Sequence, residues 1–226
     1  MAISSFKIQL KNVDFHSRND EMSEPINTLR GYPLHIPDAE VTYFPNLFPS
    51  AQATMHFKQL AENIDWVQNK ITMYGKENPV PRLEAWYGDE GMHYSYSGIQ
   101  MEPKPWTETL LELKSTVEPI AGTIFNSVLI NYYRDGNDRV GWHSDDEKEL
   151  GEAPIIGSVS LGAERRFKLR HKQYALNRQK AELILENGSL LMMKGDTQRF
   201  WKHEIPRTAV PVAGRINLTF RVIRRS

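Results

Sequence analysis

The second half of the chain is a succession of short runs rich in β-branched, aromatic and other apolar residues. NSVLINYY, IIGSVSL, RRFKLRH, AELILE, SLLMMK, RFWKHEI and RINLTFRVI are each long enough for a strand, and turn-forming residues separate them. Closely spaced strands of this kind predict a sandwich or jelly-roll barrel. Ahead of them the period lengthens. Phe57, Leu60, Ala61 and Ile64 fall at helical spacing behind a candidate cap at Ser50. Trp106, Leu110, Leu113 and Val117 form the stripe of a second helix over about 106–120, ended by Gly122. Between the two, NPVPRLEAWYGDEGMHYSYSGI alternates aromatic runs with turn residues and reads as a hairpin-like excursion. Residues 1 to about 45 show no clear period, and GYPLHIPDAEVTYFPNLFP reads as a packed, irregular arm. The pattern predicts a single domain with helices packed outside a β barrel.

Composition narrows the chemistry. With 226 residues, 40% hydrophobic and 25% charged, the chain is an ordinary globular one, large enough to bury a core without covalent cross-links. It has no cysteine, so disulfides and thiolate metal sites are excluded and any metal must sit on His, Asp or Glu. Lys+Arg and Asp+Glu balance at 28 each, so the net charge points to no class of partner, although local charge still can. The apolar runs fall far short of the ~20 residues that span a bilayer. The opening MAISSFKIQLKN lacks the charged start and unbroken apolar core of a signal peptide. The expectation is a soluble intracellular monomer with no membrane partner, in a bacterial cytoplasm or a eukaryotic nucleus.

Within DRVGWHSDDE, His143 and Asp145 stand two apart, which in extended backbone points both side chains to one face. Gly141 there permits an unusual backbone. His203, in FWKHEIP, is the best candidate for a third ligand. Two imidazoles and one carboxylate on one face of a cation make the facial triad used by non-haem Fe(II) oxygenases. A hydrogen-bonded loop pair and a hydrolytic zinc site are the competing readings.

GRINLTFRVI bears on that choice. Arg215, Asn217, Thr219 and Arg221 share one face of a strand, and Ile216, Leu218, Phe220 and Val222 the other. An amphipathic strand with its polar face in water would show the same pattern. In a jelly roll, however, that face lines the interior, and two buried guanidinium groups require anionic partners. A small dicarboxylate supplies two, in the bidentate geometry that arginine favours. Asn131 and Tyr133, two apart on another strand, complete the polar wall. Iron beside a buried dicarboxylate implies 2-oxoglutarate as co-substrate.

The series NSVLINYY, GWHSDDE, APIIGSVSLGA, RRFKLRHK, GSLLMMKG, WKHEIP and RINLTFR, in that order, resembles the AlkB family of Fe(II)/2-oxoglutarate dioxygenases. Within it the likeness is to the branch of the human AlkB homologues two and three, from about Tyr74 to Val222. The resemblance implies a mainly β fold with flanking helices (α+β): a double-stranded β-helix, or jelly roll, with an N-terminal helical extension and a nucleotide-recognition lid. All of 1–226 would be one dioxygenase domain. The arm and first helix would reach about 70, the lid would occupy about 71–104 and the jelly-roll core about 123–226. His143, Asp145 and His203 would hold Fe(II) and form the catalytic centre, with O2 as oxidant. Arg215 and Arg221 would bind 2-oxoglutarate, helped by Asn131, Tyr133 and Thr219.

The implied reaction is oxidative demethylation of N-alkylated bases such as 1-methyladenine and 3-methylcytosine, with release of formaldehyde. Its substrate would be alkylated DNA, single- or double-stranded, with RNA as a second candidate. A methyl group on the Watson–Crick edge is out of reach inside a duplex, so the base must be extruded or already unpaired. The resemblance places Tyr94, Ser95 and Tyr96 in the lid, with Tyr96 stacking on the flipped base opposite His143. It places Asp146 against the damaged base. Tyr74, Gly75 and Lys76 would form a finger that fills the vacated stack, positioned by spacing from Arg82, which counts with them as a substrate contact. The basic run ERRFKLRHKQYALNRQK suggests phosphate contacts, with Arg170 and Lys172 the candidates. The alternatives are a 2-oxoglutarate oxygenase acting on protein or a small molecule, and a non-catalytic nucleic-acid-binding module.

Overall fold

The computed structural model describes residues 29–73, 75–91, 94–96, 99–101 and 103–224. In chain order its elements are β1 (Tyr32–Pro33), β2 (Glu40–Phe44), α1 (Ser50–Asn63), β3 (Lys70–Met73), β4 (Lys76–Pro79), β5 (Leu83–Gly88), β6 (Tyr94–Tyr96), β7 (Ile99–Met101) and α2 (Glu108–Ala121). The remainder is β8 (Ser127–Tyr133), β9 (Val140–His143), β10 (Ile156–Gly162), β11 (Arg165–His171), α3 (Tyr174–Asn177), β12 (Lys180–Leu185), β13 (Ser189–Lys194), α4 (Thr197–Phe200), β14 (Trp201–Ile205) and β15 (Arg215–Arg221).

Two antiparallel sheets make the jelly roll. The larger runs β1-β2-β13-β10-β15-β8-β5 and the smaller β12-β11-β14-β9. All seven apolar runs singled out in the second half of the sequence are strands of these sheets. α1 and α2 cover the outer face of the large sheet. There Ala53, Leu60, Leu110, Leu113 and Val117 pack on Val159, Leu161, Ile216, Leu218 and Phe220. A second apolar cluster, including Phe167, Leu169, Leu185, Met193 and Ile205, fills the space between the sheets. β15 is buried along its whole length. Its two faces therefore have different neighbours, helices on the apolar side and the interior on the polar side.

Four elements differ from expectation. The arm is not irregular throughout, because Val41 and Tyr43 alternate inward and let β2 pair with β13 in the main sheet. The excursion is not all hairpin: β3–β4 and β6–β7 are two-stranded, but β5 joins the main sheet beside β8 with Ala85, Trp86 and Tyr87 buried. Helix α1 is preceded by Pro49 with no side-chain cap, so Ser50 is its first residue and not its cap. Trp106 lies ahead of α2, whose cap is Thr107, with its hydroxyl accepting from Leu110 N–H, and stacks on Phe220. The stop at Gly122 is where the sequence placed it, in the left-handed region at φ 70° that glycine adopts without strain. Among the described residues, no helix is long and apolar enough to cross a membrane.

Candidate metal centre

His143 ends β9, Asp145 follows two residues later, and His203 sits mid-way along β14, directly opposite His143 in the β9–β14 pairing. Cross-strand pairing therefore brings together ligands 60 positions apart in sequence. Their candidate ligand atoms lie within 4.8 Å of one another. The two imidazole centroids are 4.2 Å apart, and His203 Nε2 is 3.8 Å from Asp145 Oδ2. Phe167 stacks on the His203 ring and fixes its plane.

The surroundings set the protonation state. His143 Nδ1 lies 2.8 Å from the Gly141 carbonyl. A carbonyl can only accept, so Nδ1 carries the proton and Nε2 keeps its lone pair. This carbonyl is what Gly141 contributes; its backbone is ordinary strand and not the unusual conformation expected. Burial holds both imidazoles neutral, lowering His143 and pushing His203 down to about 3, in the latter case reinforced by His143. Burial pushes the Asp145 carboxyl upward, but Arg221, His203 and His143 together hold it below its ordinary value. The donor set is thus two neutral imidazoles and one carboxylate, which suits a divalent cation and needs no proton removed at neutral pH. Gln198 Oε1 accepts from the Asp145 backbone N–H at 2.9 Å, and the Ser144 hydroxyl donates to the Trp201 carbonyl at 2.9 Å. The H-x-D turn is held on both sides.

Beside the triad, a pocket between the two sheets is lined by Asn131, Tyr133, Arg215, Asn217, Thr219 and Arg221, among others. The register explains the grouping. β8 and β10 flank β15, with Asn131 opposite Asn217, Tyr133 opposite Arg215, and Ser158 opposite Thr219. Five residues expected to bind the co-substrate, Asn131, Tyr133, Arg215, Thr219 and Arg221, therefore share one wall with the triad.

The two arginines are not equivalent. Arg221 Nη2 donates to Asp145 Oδ1 at 2.5 Å and is coupled to the metal ligands. Arg215 is 1% exposed, donates Nη2 to Ser160 Oγ at 2.8 Å, and has no acceptor for Nε or Nη1. Its guanidinium packs over the Tyr133 ring at 5.2 Å. Burial pushes Arg215 down to about 10, still cationic at neutral pH. A buried guanidinium with two open N–H donors facing a cavity fits an anionic ligand and fits little else.

The substrate-contact residues are dispersed. Asp146 is exposed, next to Asp145, and accepts from Lys172 Nζ at 2.8 Å. Arg170 lies over the Trp142 ring at 4.4 Å. Gly75 and Lys76 are exposed at the β3–β4 turn, where Gly75 has φ 74°. Tyr74 lies outside the described residues; Tyr94, Ser95 and Tyr96 form β6, but their side chains lie outside them too.

Arg82, grouped in sequence with the finger, is instead buried in the cavity wall. It donates Nε to Asn131 Oδ1 at 2.7 Å, Nη2 to Glu84 Oε1 at 2.6 Å, and Nη1 to the Arg139 carbonyl at 3.3 Å. Arg165, part of the basic run, is also buried. It donates to the carbonyls of Asp135, Asp138 and Pro206, and its guanidinium lies over Tyr133 at 5.6 Å. Glu84, Ser160 and Gln198 went unnoticed in the sequence. Ser158 and Ser160 are spaced two apart on one face of β10, and Arg82 stands two before Glu84 at the entry to β5, which is the signal that was available.

A model of the 2OG-Fe(II) oxygenase superfamily matches residues 40–221. The chain is 40% identical over 185 residues to the DNA oxidative demethylase ALKBH2 of Mus musculus, covering 78% of this chain and 77% of that protein. It is 41% identical over 185 residues to ALKBH2 of Homo sapiens, covering 78% and 71%. It is 38% identical over 192 residues to the alpha-ketoglutarate-dependent dioxygenase alkB homolog 3 of Rattus norvegicus, covering 82% of this chain and 64%, just under two thirds, of that relative. A solved structure, that of OsALKBH1, superposes with a TM-score of 0.60 at 15% identity, covering 84% of this chain and all of that one, which speaks to the fold alone.

Proposed function

The chain belongs to the 2OG-Fe(II) oxygenase superfamily, within the AlkB family that holds ALKBH2 and alkB homolog 3, and from that premise we propose that it demethylates N-alkylated bases in DNA. One observation carries the reading: the His143–Asp145–His203 triad opens on the same cavity as the unpaired N–H donors of Arg215. A zinc hydrolase would have no use for that guanidinium.

His143, Asp145 and His203 would hold Fe(II). Arg215, backed by Ser160 and Tyr133, would take one carboxylate of 2-oxoglutarate. Asn131, Tyr133, Thr219 and Arg221 line the rest of its path, and Arg82 orients Asn131 by occupying its Oδ1, which leaves the amide N–H groups for the ligand. Iron and 2-oxoglutarate, when bound, supply the oxidising power that turns N–CH3 and O2 into N–CH2OH, with succinate and CO2 as co-products. The N–CH2OH group then loses formaldehyde and leaves the repaired base. The chain's own residues bind the diacid, hold the ligand set neutral apart from Asp145, and keep the cavity walls apolar on the Phe167, Leu185 and Met193 side.

Asp146 would face the base. 1-Methyladenine and 3-methylcytosine carry positive charge, and a carboxylate beside them favours that form. Lys172 Nζ, 2.8 Å away, occupies the place such a cation would take. The pair is exposed and so costs little to separate. The test is aerobic incubation with Fe(II), 2-oxoglutarate and an oligonucleotide bearing 1-methyladenine, in DNA and in RNA form. Stoichiometric formaldehyde and succinate are expected from the DNA; succinate without formaldehyde would point to another substrate.

A further inference from the structure

The peptide N–H of Asp145 has no strand to donate to. β9 ends at His143, and the chain leaves the sheet before the ligand carboxylate is reached. Asp145 is 1% exposed, so bulk water does not reach the group either. An orphaned N–H at that depth would cost free energy and leave the turn free to shift. Its acceptor comes from elsewhere in the chain: Gln198 Oε1, 2.9 Å away, on the four-residue helix α4. A peptide N–H can only donate, so the amide oxygen is the atom that faces it. Gln198 Nε2 turns the other way, 3.4 Å from Met193 Sδ in the wall of the pocket.

The carboxylate itself is held at one oxygen, where Arg221 donates to Oδ1. A carboxylate fixed at one atom can still pivot about it. Oδ2, the oxygen 3.8 Å from His203 Nε2, would swing with the pivot. Fixing the backbone as well removes that freedom, and site groups need to stand within about 0.5 Å of their working positions.

α4 is anchored in turn by the arm. Thr197, its first residue, accepts from Glu40 N–H at 2.9 Å and donates to the Lys194 carbonyl at 2.6 Å. Trp201, which follows α4, donates Nε1 to the Pro37 carbonyl at 2.8 Å, and its own carbonyl accepts from the Ser144 hydroxyl. Residues 37–40 therefore grip this bracket at both ends, and the bracket grips the H-x-D turn at two successive residues, Ser144 and Asp145. His203 follows Trp201 by two on the same strand. One short segment thus sets both the carboxylate and the distal imidazole.

Resting on the reading of the triad as a metal centre, we propose that Gln198 is the positioning residue for Asp145, and that the arm at residues 37–40 holds it in place through α4. The arm is then part of the site and not only an edge of the large sheet.

Co(II) is the probe, added to the metal-free full chain and followed by equilibrium dialysis and by its visible absorption, which responds to ligand geometry. Gln198→Met keeps the length and loses the acceptor, so Co(II) should bind about 10- to 100-fold more weakly and with an altered spectrum. Gln198→Glu keeps an acceptor oxygen and should bind at least as tightly as wild type. Thr197→Val is nearly isosteric and loosens only the arm's hold. It should weaken Co(II) in the same direction but by less, and combined with Gln198→Met it should add nothing. A merely structural role would lower the melting temperature of these variants and leave Co(II) affinity and spectrum at wild-type values, and that result overturns the proposal. So does a Gln198→Glu protein as weak as Gln198→Met. Additive losses in the double variant overturn the route through the arm. If Gln198→Met does not fold, wild-type Co(II) binding by Thr197→Val overturns that route instead. A wild type that fails to hold Co(II) overturns the metal centre itself, and with it this role for Gln198.

Discussion

Replacing Arg82 with leucine separates what this residue does for the fold from what it does for the site. Its guanidinium and the Glu84 carboxylate are 6% and 1% exposed and meet at 2.6 Å, and Glu84 Oε2 also accepts from Asn69 Nδ2 at 2.9 Å. Arg82→Leu leaves Glu84 buried without its counter-charge, a loss of about 3–5 kcal/mol. For a chain of this size each kcal/mol moves the melting temperature by about 2–4 °C, so a fall of about 6–20 °C is expected. Arg82→Leu/Glu84→Leu removes both charges and should restore most of it, since a well-packed apolar pair often matches a buried ion pair. Asn131 is not repaired by the second substitution. Its Oδ1 loses the Arg82 donor, the amide is free to turn over, and one hydrogen bond of about 0.5–1.5 kcal/mol to 2-oxoglutarate is at stake, a rise of about 2- to 13-fold in the KM for 2-oxoglutarate. Differential scanning calorimetry of the metal-loaded variants and initial rates against 2-oxoglutarate read the two effects separately. An Arg82→Leu protein that melts within about 2 °C of wild type would refute the buried-charge reasoning. A double variant with restored KM would refute the positioning of Asn131.

Arg215→Leu should abolish stabilisation by 2-oxoglutarate. At 100 times Kd the wild type gains ~2.7 kcal/mol, or about 5–11 °C, and the variant should gain none, as thermal melts with and without the diacid will tell. Arg215→Lys keeps the charge but not the fork, so its 2-oxoglutarate KM should stay well above wild type. His203→Ala leaves two ligands and should lose ferrous binding, measured by equilibrium dialysis, together with formaldehyde release. Burial holds His203 at about 3 when folded, against ~6.5 in an unfolded chain. Between those values the unfolded chain binds the extra proton, so the metal-free protein should lose about 1.4 kcal/mol per pH unit below pH 6.5 and none above it from this group. Melts from pH 8 to 5 should show that break, and His203→Leu should flatten it.

The polar and apolar faces of RINLTFR were legible in the sequence because a strand's period is two and its two neighbours here differ in kind. The triad was legible as residue types, but the opposition of His143 and His203 depends on β9–β14 pairing across 60 residues, which periodicity does not encode. The burial of Arg82 and Arg165 was not legible, for one reason. Single-chain reading treats a guanidinium as a surface group, whereas each here has its hydrogen bonds met by buried acceptors, Asn131 and Glu84 for one and three backbone carbonyls for the other. Strand β2 escaped notice because the prolines and aromatics on either side of it mask a five-residue alternation.

Charge balance in the cavity explains why the two arginines of β15 are used differently. Arg82 and Glu84 cancel, and Arg221 and Asp145 cancel, so the wall is left with the single positive charge of Arg215. A ferrous ion adds two more, and an uncompensated excess of that size is costly inside a protein. A dianion removes two of the three, and a carboxylate at each end lets one charge meet the Arg215 fork and the other lie toward the metal. A monoanion of the same length would satisfy one end and leave the other. The cavity therefore selects a diacid by charge, and what remains is one positive charge. A cationic methylated base would be repelled there were it not for Asp146, an exposed carboxylate adjacent to the ligand carboxylate and paired with Lys172. Asp146→Asn should for that reason weaken binding of 1-methyladenine more than of an uncharged N-methylated base such as 1-methylguanine, and equal losses on the two would remove charge from the account of how this site chooses its substrate.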